Sequence, residues 1–305
     1  MIRRDVLSTA VAAGACAGLG PMPPARAAAT LPARARDDGG FVTARDGTRL
    51  FARSWGSGAP VLFLHAWALH SGMWHRQFVD LAARGVRCIA FDRRGHGRSA
   101  LAGGGYDLDT LADDVARVVE ALGLEEITLV GHSMGGAEAV RFCARAGAGA
   151  VRRLVLVAPT TPCLTRSPDN PDGIPAELLA AARARMAEDF PRWVEENKAP
   201  FVTPETSPQT TDWLARMMAD VDLPAVLASA RAFAEADVRP DLARIACPTL
   251  VIQGDRDASA PLDLTGRRTA QGIAGARLEV YAGAPHGLFV THAERLSADI
   301  LAHMA

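Results

Sequence analysis

Short apolar runs without alternation recur along the chain: Val61-Leu62-Phe63-Leu64, Val86-Arg87-Cys88-Ile89-Ala90-Phe91, Ile127-Thr128-Leu129-Val130, Leu154-Val155-Leu156-Val157 and Pro248-Thr249-Leu250-Val251-Ile252, followed by Leu278-Glu279-Val280-Tyr281. Runs of this kind suit strands of a parallel sheet that is covered by helices on both faces. Stretches of helical period separate them. Met73 to Leu81 reads as a crossover helix, and Leu108, Leu111, Val115, Val118, Val119 and Leu122 share one helical face, with Asp107 or Asp109 available as its cap. Another helical pattern starts near Ala137. Upstream, Phe41-Val42-Thr43-Ala44 and Arg49-Leu50-Phe51-Ala52-Arg53 flank Asp46-Gly47 and predict a hairpin. Strands alternating with helices predict a doubly wound, mostly parallel α/β sheet, whose ligands sit at the carboxyl ends of the strands.

The alternation breaks between about Pro159 and Leu242. Helical candidates at 175–190, 191–197, 211–219 and 224–236 are separated there by proline-rich connectors such as Pro168-Asp169-Asn170-Pro171. This predicts a helical cap over 161–240, inserted into a core formed by 30–160 and 241–305.

With 305 residues, 49% of them hydrophobic, the chain can bury one large core, and 6% aromatics make that core mainly aliphatic. The formal net charge is -1, charges of both signs are interspersed, and Lys198 is the only lysine. No basic block is present, which argues against a nucleic-acid partner. No feature of the sequence specifies a partner chain. At the N-terminus, Arg3-Arg4, the small and apolar stretch Val6 to Leu19, and Ala25-Arg26-Ala27-Ala28-Ala29 read as the three regions of a signal peptide over 1–29. Arg3-Arg4 before Asp5-Val6-Leu7 resembles a twin-arginine export signal. The expectation is an exported chain, periplasmic or secreted, without membrane contact once cleaved. An uncleaved anchor is disfavoured by the short Gly- and Ala-rich stretch, and a lipoprotein box ending in Cys16 by Ala13, where a larger aliphatic is usual. Cys88, Cys143, Cys163 and Cys247 read as free thiols, since their spacing imposes no disulfide. No CxxC or HExxH pattern suggests a metal site.

Candidate chemistry centres on Gly131-His132-Ser133-Met134-Gly135-Gly136, which follows one apolar run and precedes a helix. A serine between glycines at a strand-to-helix turn is a nucleophile elbow: the tight turn exposes the hydroxyl, and the helix N-terminus faces the charge that develops in acyl transfer. Two later strands end in Gly254-Asp255-Arg256-Asp257 and Gly283-Ala284-Pro285-His286-Gly287. That order gives Ser133 as nucleophile, His286 as general base and acid, and Asp257 as the carboxylate behind it, with Asp255 competing for the last role. Two backbone donors are needed for an oxyanion. Met134 N–H and Trp67 N–H are the choices, and Trp67 also reads as an aromatic pocket wall. Trp193, Phe201, Trp213, Met217, Met218, Phe233 and Leu288 are further candidates for the substrate pocket, against the alternative that they pack on the sheet. His65, His96 and His132 read as structural or as pocket lining.

Taken together, His65-Ala66-Trp67, the stretch Ala90 to Ser99, the elbow, and the segments around Asp257 and His286 resemble the α/β-hydrolase superfamily. Within it the chain most resembles the bacterial aryl esterases and cofactor-free, non-haem haloperoxidases, also called perhydrolases, from about Phe41 to the C-terminus and including Asp169 to Pro175. The resemblance implies an α/β-hydrolase fold with a helical cap. It also implies a triad on Ser133, Asp257 and His286, oxyanion donors at Trp67 and Met134, and no cofactor. Three positions depart from the group: Ala66 replaces a glycine, Ala68 replaces the proline of perhydrolytic members, and Ala260 replaces a larger aliphatic. Positive φ would be costly at Ala66. The expected function is a serine hydrolase that cleaves small or aryl carboxylic esters through an acyl-enzyme. A lactonase or perhydrolase with the same triad is the near alternative, and a non-catalytic ligand receptor the distant one.

Overall fold

The computed structural model describes residues 40–145 and 149–305. The signal peptide expected over 1–29 and Cys16 lie outside the described residues. Eight strands form one sheet: β1 (Phe41–Thr43), β2 (Arg49–Trp55), β3 (Ala59–Leu64), β4 (Val86–Phe91), β5 (Ile127–His132), β6 (Val151–Val157), β7 (Thr249–Gly254) and β8 (Arg277–Tyr281), in the order β1-β2-β4-β3-β5-β6-β7-β8. The hairpin pairs Phe41 with Phe51, and β2 then runs on to pair antiparallel with β4. All pairings from β4 across to β8 are parallel.

The helices in chain order are α1 (His75–Ala82), α2 (Leu108–Ala121), α3 (Met134–Arg145), α4 (Ala176–Glu188), α5 (Phe190–Asn197), α6 (Pro208–Ala219), α7 (Leu223–Glu235), α8 (Arg239–Leu242), α9 (Gly266–Gly272), α10 (Leu288–Thr291) and α11 (Ala293–Met304). Asp107, not Asp109, caps α2: its carboxylate accepts from Thr110 N–H at 2.9 Å. Asp109 pairs with Arg141 instead.

The unalternating apolar runs have a simple structural basis. Side chains of a strand point alternately to opposite faces, so Leu62, Leu64, Ile89, Phe91, Leu129, Leu154 and Leu156 enter one buried layer together with residues of α2 and α3. Val61, Phe63, Cys88, Ala90, Val130, Val155 and Val157 enter the other, against α1 and α11. The pattern predicted neither α11 nor the one-turn 3₁₀ helix Ser71–Trp74 that precedes α1. The elbow helix starts at Met134 rather than near Ala137, because Gly135 and Gly136 carry no side chains for a period to register.

Helices α4 to α7 fill the connection between β6 and β7. They share a third buried cluster, including Met186, Phe190, Val194, Val226 and Ala230, with Ala68 and Tyr106 of the core loops. The cap is thereby packed over the carboxyl end of the sheet. Cys88, Cys143 and Cys163 are buried free thiols and Cys247 is half-buried; burial pushes the Cys88 thiol up to about 12. Among the described residues no helix is long and apolar enough to cross a membrane.

Candidate active site

The elbow is built by close chain crossing. Ser133 has φ +56°, and its backbone is held by N–H donation to the Val157 carbonyl at 3.0 Å and by acceptance from Gly136 N–H at 2.9 Å. A Cβ on Gly131 would lie 2.4 Å from the Gly135 carbonyl oxygen, and one on Gly135 would lie 2.7 Å from the Leu64 oxygen. Only glycine fits at either position, and β3, β5 and α3 meet there as a result.

The strand ends of β7 and β8 bring two further groups to Ser133. His286 Nε2 lies 2.9 Å from Ser133 Oγ, and His286 Nδ1 lies 2.7 Å from Asp257 Oδ2. A carboxylate only accepts, so Nδ1 carries the proton and Nε2 is left to accept from the serine hydroxyl. Asp257 is itself fixed: Oδ1 accepts from the Ser259 and Ala260 N–H groups at 2.9 and 2.7 Å, and Oδ2 from Gln253 Nε2 at 2.8 Å. All three residues are buried. Asp255 is exposed and accepts from Gly283 N–H at 2.7 Å, which makes it the turn residue of the two aspartates.

The expected oxyanion donors flank this array. Neither Trp67 N–H nor Met134 N–H has a backbone acceptor among the described residues. Met134 opens α3, where N–H groups have no intrahelical partner. Ala66 does not take a positive φ; the left-handed residue of the loop is Ala68, at φ +52°. The cost expected at Ala66 therefore falls two residues later.

A cavity of about 350 Å³ opens onto Ser133 and His286. Trp67, Trp193, Phe201, Met218 and Phe233 line it, as expected from the sequence. Trp67 meets Trp193, Phe190 and Phe233 edge-on with ring centroids 5.5, 6.1 and 6.0 Å away, and its Nε1–H donates to the Val226 carbonyl at 3.0 Å. Trp213, Met217 and Leu288 do not line it. Trp213 packs edge-on against His75 at 4.7 Å, and Met217 and Leu288 are buried in the layer beneath. Apolarity marks such residues as covered but does not give their direction. Met186, Val194, Leu214, Thr160, Asn197, Lys198 and Ser259 are also part of the wall, and the sequence singled out none of them for it.

His65, His96 and His132 do not line the cavity; all three are structural. His132 Nε2–H donates to the His286 carbonyl at 2.9 Å and its ring lies 4.8 Å from the His286 ring, while burial pushes its pKa well below the usual histidine value. It holds the backbone of the His286 loop as a neutral donor. Two buried charged positions beside the site were missed altogether. Arg93 and Glu138 are buried charges that pair beneath the Trp67 loop. Glu138 was detectable as a charge on a helix face that the elbow must bury.

The sequence model of the alpha/beta hydrolase fold family matches residues 59–293. The chain is 38% identical over 268 residues to a non-heme haloperoxidase of Rhodococcus erythropolis, an alignment that spans 86% of this chain and 97% of that protein. A bifunctional esterase/perhydrolase of Acinetobacter calcoaceticus is 34% identical over 275 residues, spanning 86% and 98%. Among solved structures, an esterase from Exiguobacterium antarcticum superposes with a TM-score of 0.84 at 30% identity, over 87% of this chain and 99% of that one.

Proposed function

The chain belongs to the α/β-hydrolase family, and from that premise we propose that it hydrolyses small or aryl carboxylic esters through an acyl-enzyme on Ser133. The observation that carries the reading is the continuous hydrogen-bonded line from Ser133 Oγ through His286 to Asp257, at 2.9 and 2.7 Å, on the wall of an apolar cavity. Its volume, about 350 Å³, falls in the range of small-molecule sites.

In this mechanism Ser133 Oγ attacks the ester carbonyl carbon as His286 Nε2 takes the hydroxyl proton. Asp257 keeps the imidazole in the productive tautomer and stabilises the imidazolium. The carbonyl oxygen becomes an anion between the N–H groups of Trp67 and Met134, each contributing about 3 kcal/mol to the transition state. His286 returns the proton to the leaving alkoxide, and the alcohol departs. Water then attacks the acyl-enzyme carbonyl, giving its proton to His286, which passes it to Ser133 Oγ as the bond from Oγ to the acyl carbon breaks and the acid is released.

Perhydrolysis differs only in the second step, where hydrogen peroxide replaces water. The names of the two sequence relatives favour this second reading. Against it stands Ala68: φ +52° is a conformation that proline, fixed near −65°, cannot take, so the loop differs from that of proline-bearing perhydrolytic members. Export through residues 1–29 belongs to the same proposal and is supported by the charged, apolar and small-residue order of that segment.

The test is p-nitrophenyl acetate turnover and fluorophosphonate labelling of the wild type beside Ser133→Ala. The expected result is labelling of the wild type alone, with a loss in kcat of at least about 10³-fold in the variant. A folded wild type that neither labels nor turns over would point to a ligand receptor on the hydrolase fold.

A further inference from the structure

The two oxyanion donors proposed above lie on separate elements, the loop after β3 and the first turn of α3, so their spacing requires a link between the two. Arg93 and Glu138 form one. Arg93 follows β4, Glu138 sits one turn along α3 from Met134, and both side chains are 2% exposed. Arg93 Nε donates to Glu138 Oε1 at 2.5 Å. The remaining nitrogens of the same guanidinium donate to the loop backbone, Nη2 to the His65 carbonyl at 2.8 Å and Nη1 to the Ala66 carbonyl at 3.3 Å. His65 closes the arrangement. Its Nε2 accepts from the Arg93 backbone N–H at 2.8 Å, which leaves the ring proton on Nδ1, 2.7 Å from that same Ala66 oxygen.

The consequence follows from peptide geometry. In a planar trans peptide the C=O and the N–H point to opposite sides. The Ala66 carbonyl and the Trp67 N–H belong to one peptide. Arg93 and His65 hold the carbonyl from the buried side, where neither lines the cavity, and so turn the Trp67 N–H toward the side that Ala66, Trp67 and Ser133 do line. A buried ion pair is a poor stability device, because desolvation offsets most of its attraction. A planar fork that spends one nitrogen on a helix carboxylate and the other two on adjacent loop carbonyls is a good alignment device. We propose that the Arg93–Glu138 pair, acting with His65, positions the Trp67 N–H relative to the Met134 N–H and thereby sets the strength of the oxyanion site without taking part in substrate binding. The proposal rests on the acyl-enzyme reading of Ser133.

The test uses Glu138→Gln, which keeps shape and one acceptor, and Arg93→Lys, which keeps the charge but loses the fork. For each variant, kcat and KM are measured on p-nitrophenyl acetate, along with inhibition by an aryl trifluoromethyl ketone and by the corresponding alcohol. The ketone adds to the serine and places an oxyanion in the hole, whereas the alcohol only fills the cavity. The expected fall in kcat is about 100-fold for Arg93→Lys and about 10-fold for Glu138→Gln, on the scale of losing or misaligning one oxyanion donor. KM should stay within about threefold, ketone affinity should fall in step with kcat/KM, and alcohol affinity should hold. Folded variants with wild-type kcat/KM overturn the proposal. So does equal weakening of ketone and alcohol, and so does loss of folding in both variants, which assigns the pair to stability alone. A wild type that fluorophosphonate does not label fails earlier, and fails the serine reading itself.

Discussion

Ser133 occupies a backbone conformation that disfavours any residue with a Cβ. At φ +56° an L side chain costs about 1–2 kcal/mol, whereas glycine adopts such angles freely. The usual order of stability should therefore invert at this position. Ser133→Gly and Ser133→Ala both lose the hydroxyl and its bond to His286, yet the glycine variant is expected to be the more stable by about 1 kcal/mol, although glycine costs 0.5–1 kcal/mol relative to alanine in ordinary elements. Urea unfolding of the two variants, monitored by circular dichroism, checks this, and a more stable alanine variant would mean the elbow is relaxed. At the same scale, Ser133 was legible from the glycines on either side of it between a strand and a helix, and His286 from its place after the last core strand. Between Asp257 and Asp255, which both follow β7, the sequence favours Asp257 only because Asp255 lies nearer the strand end and suits the turn. Their difference is a local turn in which Ser259 and Ala260 aim N–H groups at one carboxylate and Gly283 at the other. Nothing in a run of residue types encodes that.

Among the elements, the junction of β3, β5 and α3 sets the site. A Cβ at Gly135 would meet the Leu64 and His65 carbonyl oxygens at 2.7 and 2.8 Å, and both are backbone atoms of the strand end that leads into the Trp67 loop. Gly135→Ala should then push α3 and the loop apart, destabilising the protein by about 1–3 kcal/mol through overpacking. Because the two proposed oxyanion donors sit on the two parts being separated, turnover should fall further than the folded fraction does. Specific activity of the folded protein, set beside the unfolding midpoint, separates those effects; a folded variant with undiminished kcat would contradict the arrangement. The strands themselves were legible as apolar runs, since burial on both faces leaves no polar side to alternate. Their order was not. An apolar run records that both faces are covered, but the pairing of β3 between β4 and β5, and the antiparallel return of β2 onto β4, depend on crossovers that a local pattern does not hold. The start of α3 at Met134 was hidden for the reason that makes it work, as the close crossing demands glycines and glycines leave no period.

Across the whole molecule, composition fixed the scale of the core but not the charges buried within it. His65, His96 and His132 are enclosed, and burial pushes each well below the ordinary histidine pKa of 6.5, His96 to about 3 with the positive charge of Arg93 adding to the effect. In the unfolded chain these rings take a proton near pH 6.5, while in the folded protein they do not until the pH is far lower. Between those limits the unfolded state binds more protons, so stability falls as pH falls. The slope approaches about 1.4 kcal/mol per pH unit for each ring, or about 4 kcal/mol per unit for three. Glu138 and Asp114 act in the opposite sense, since burial raises their pKa values and the folded state takes up protons there, but they are two groups against seven, because burial also lowers His70, His75, His292 and His303. The lowered carboxyl of Asp46, held at about 2 chiefly by the Thr48 N–H, contributes only at lower pH, below the usual carboxylate range. The urea midpoint should accordingly be level above pH 7 and drop steeply between pH 6 and pH 4. A midpoint unchanged over that interval would mean that the rings are protonated in place. In that case His65 Nε2 could not accept from the Arg93 N–H, and the ring that supports the Ala66 carbonyl through Nδ1 would lose its anchor to Arg93.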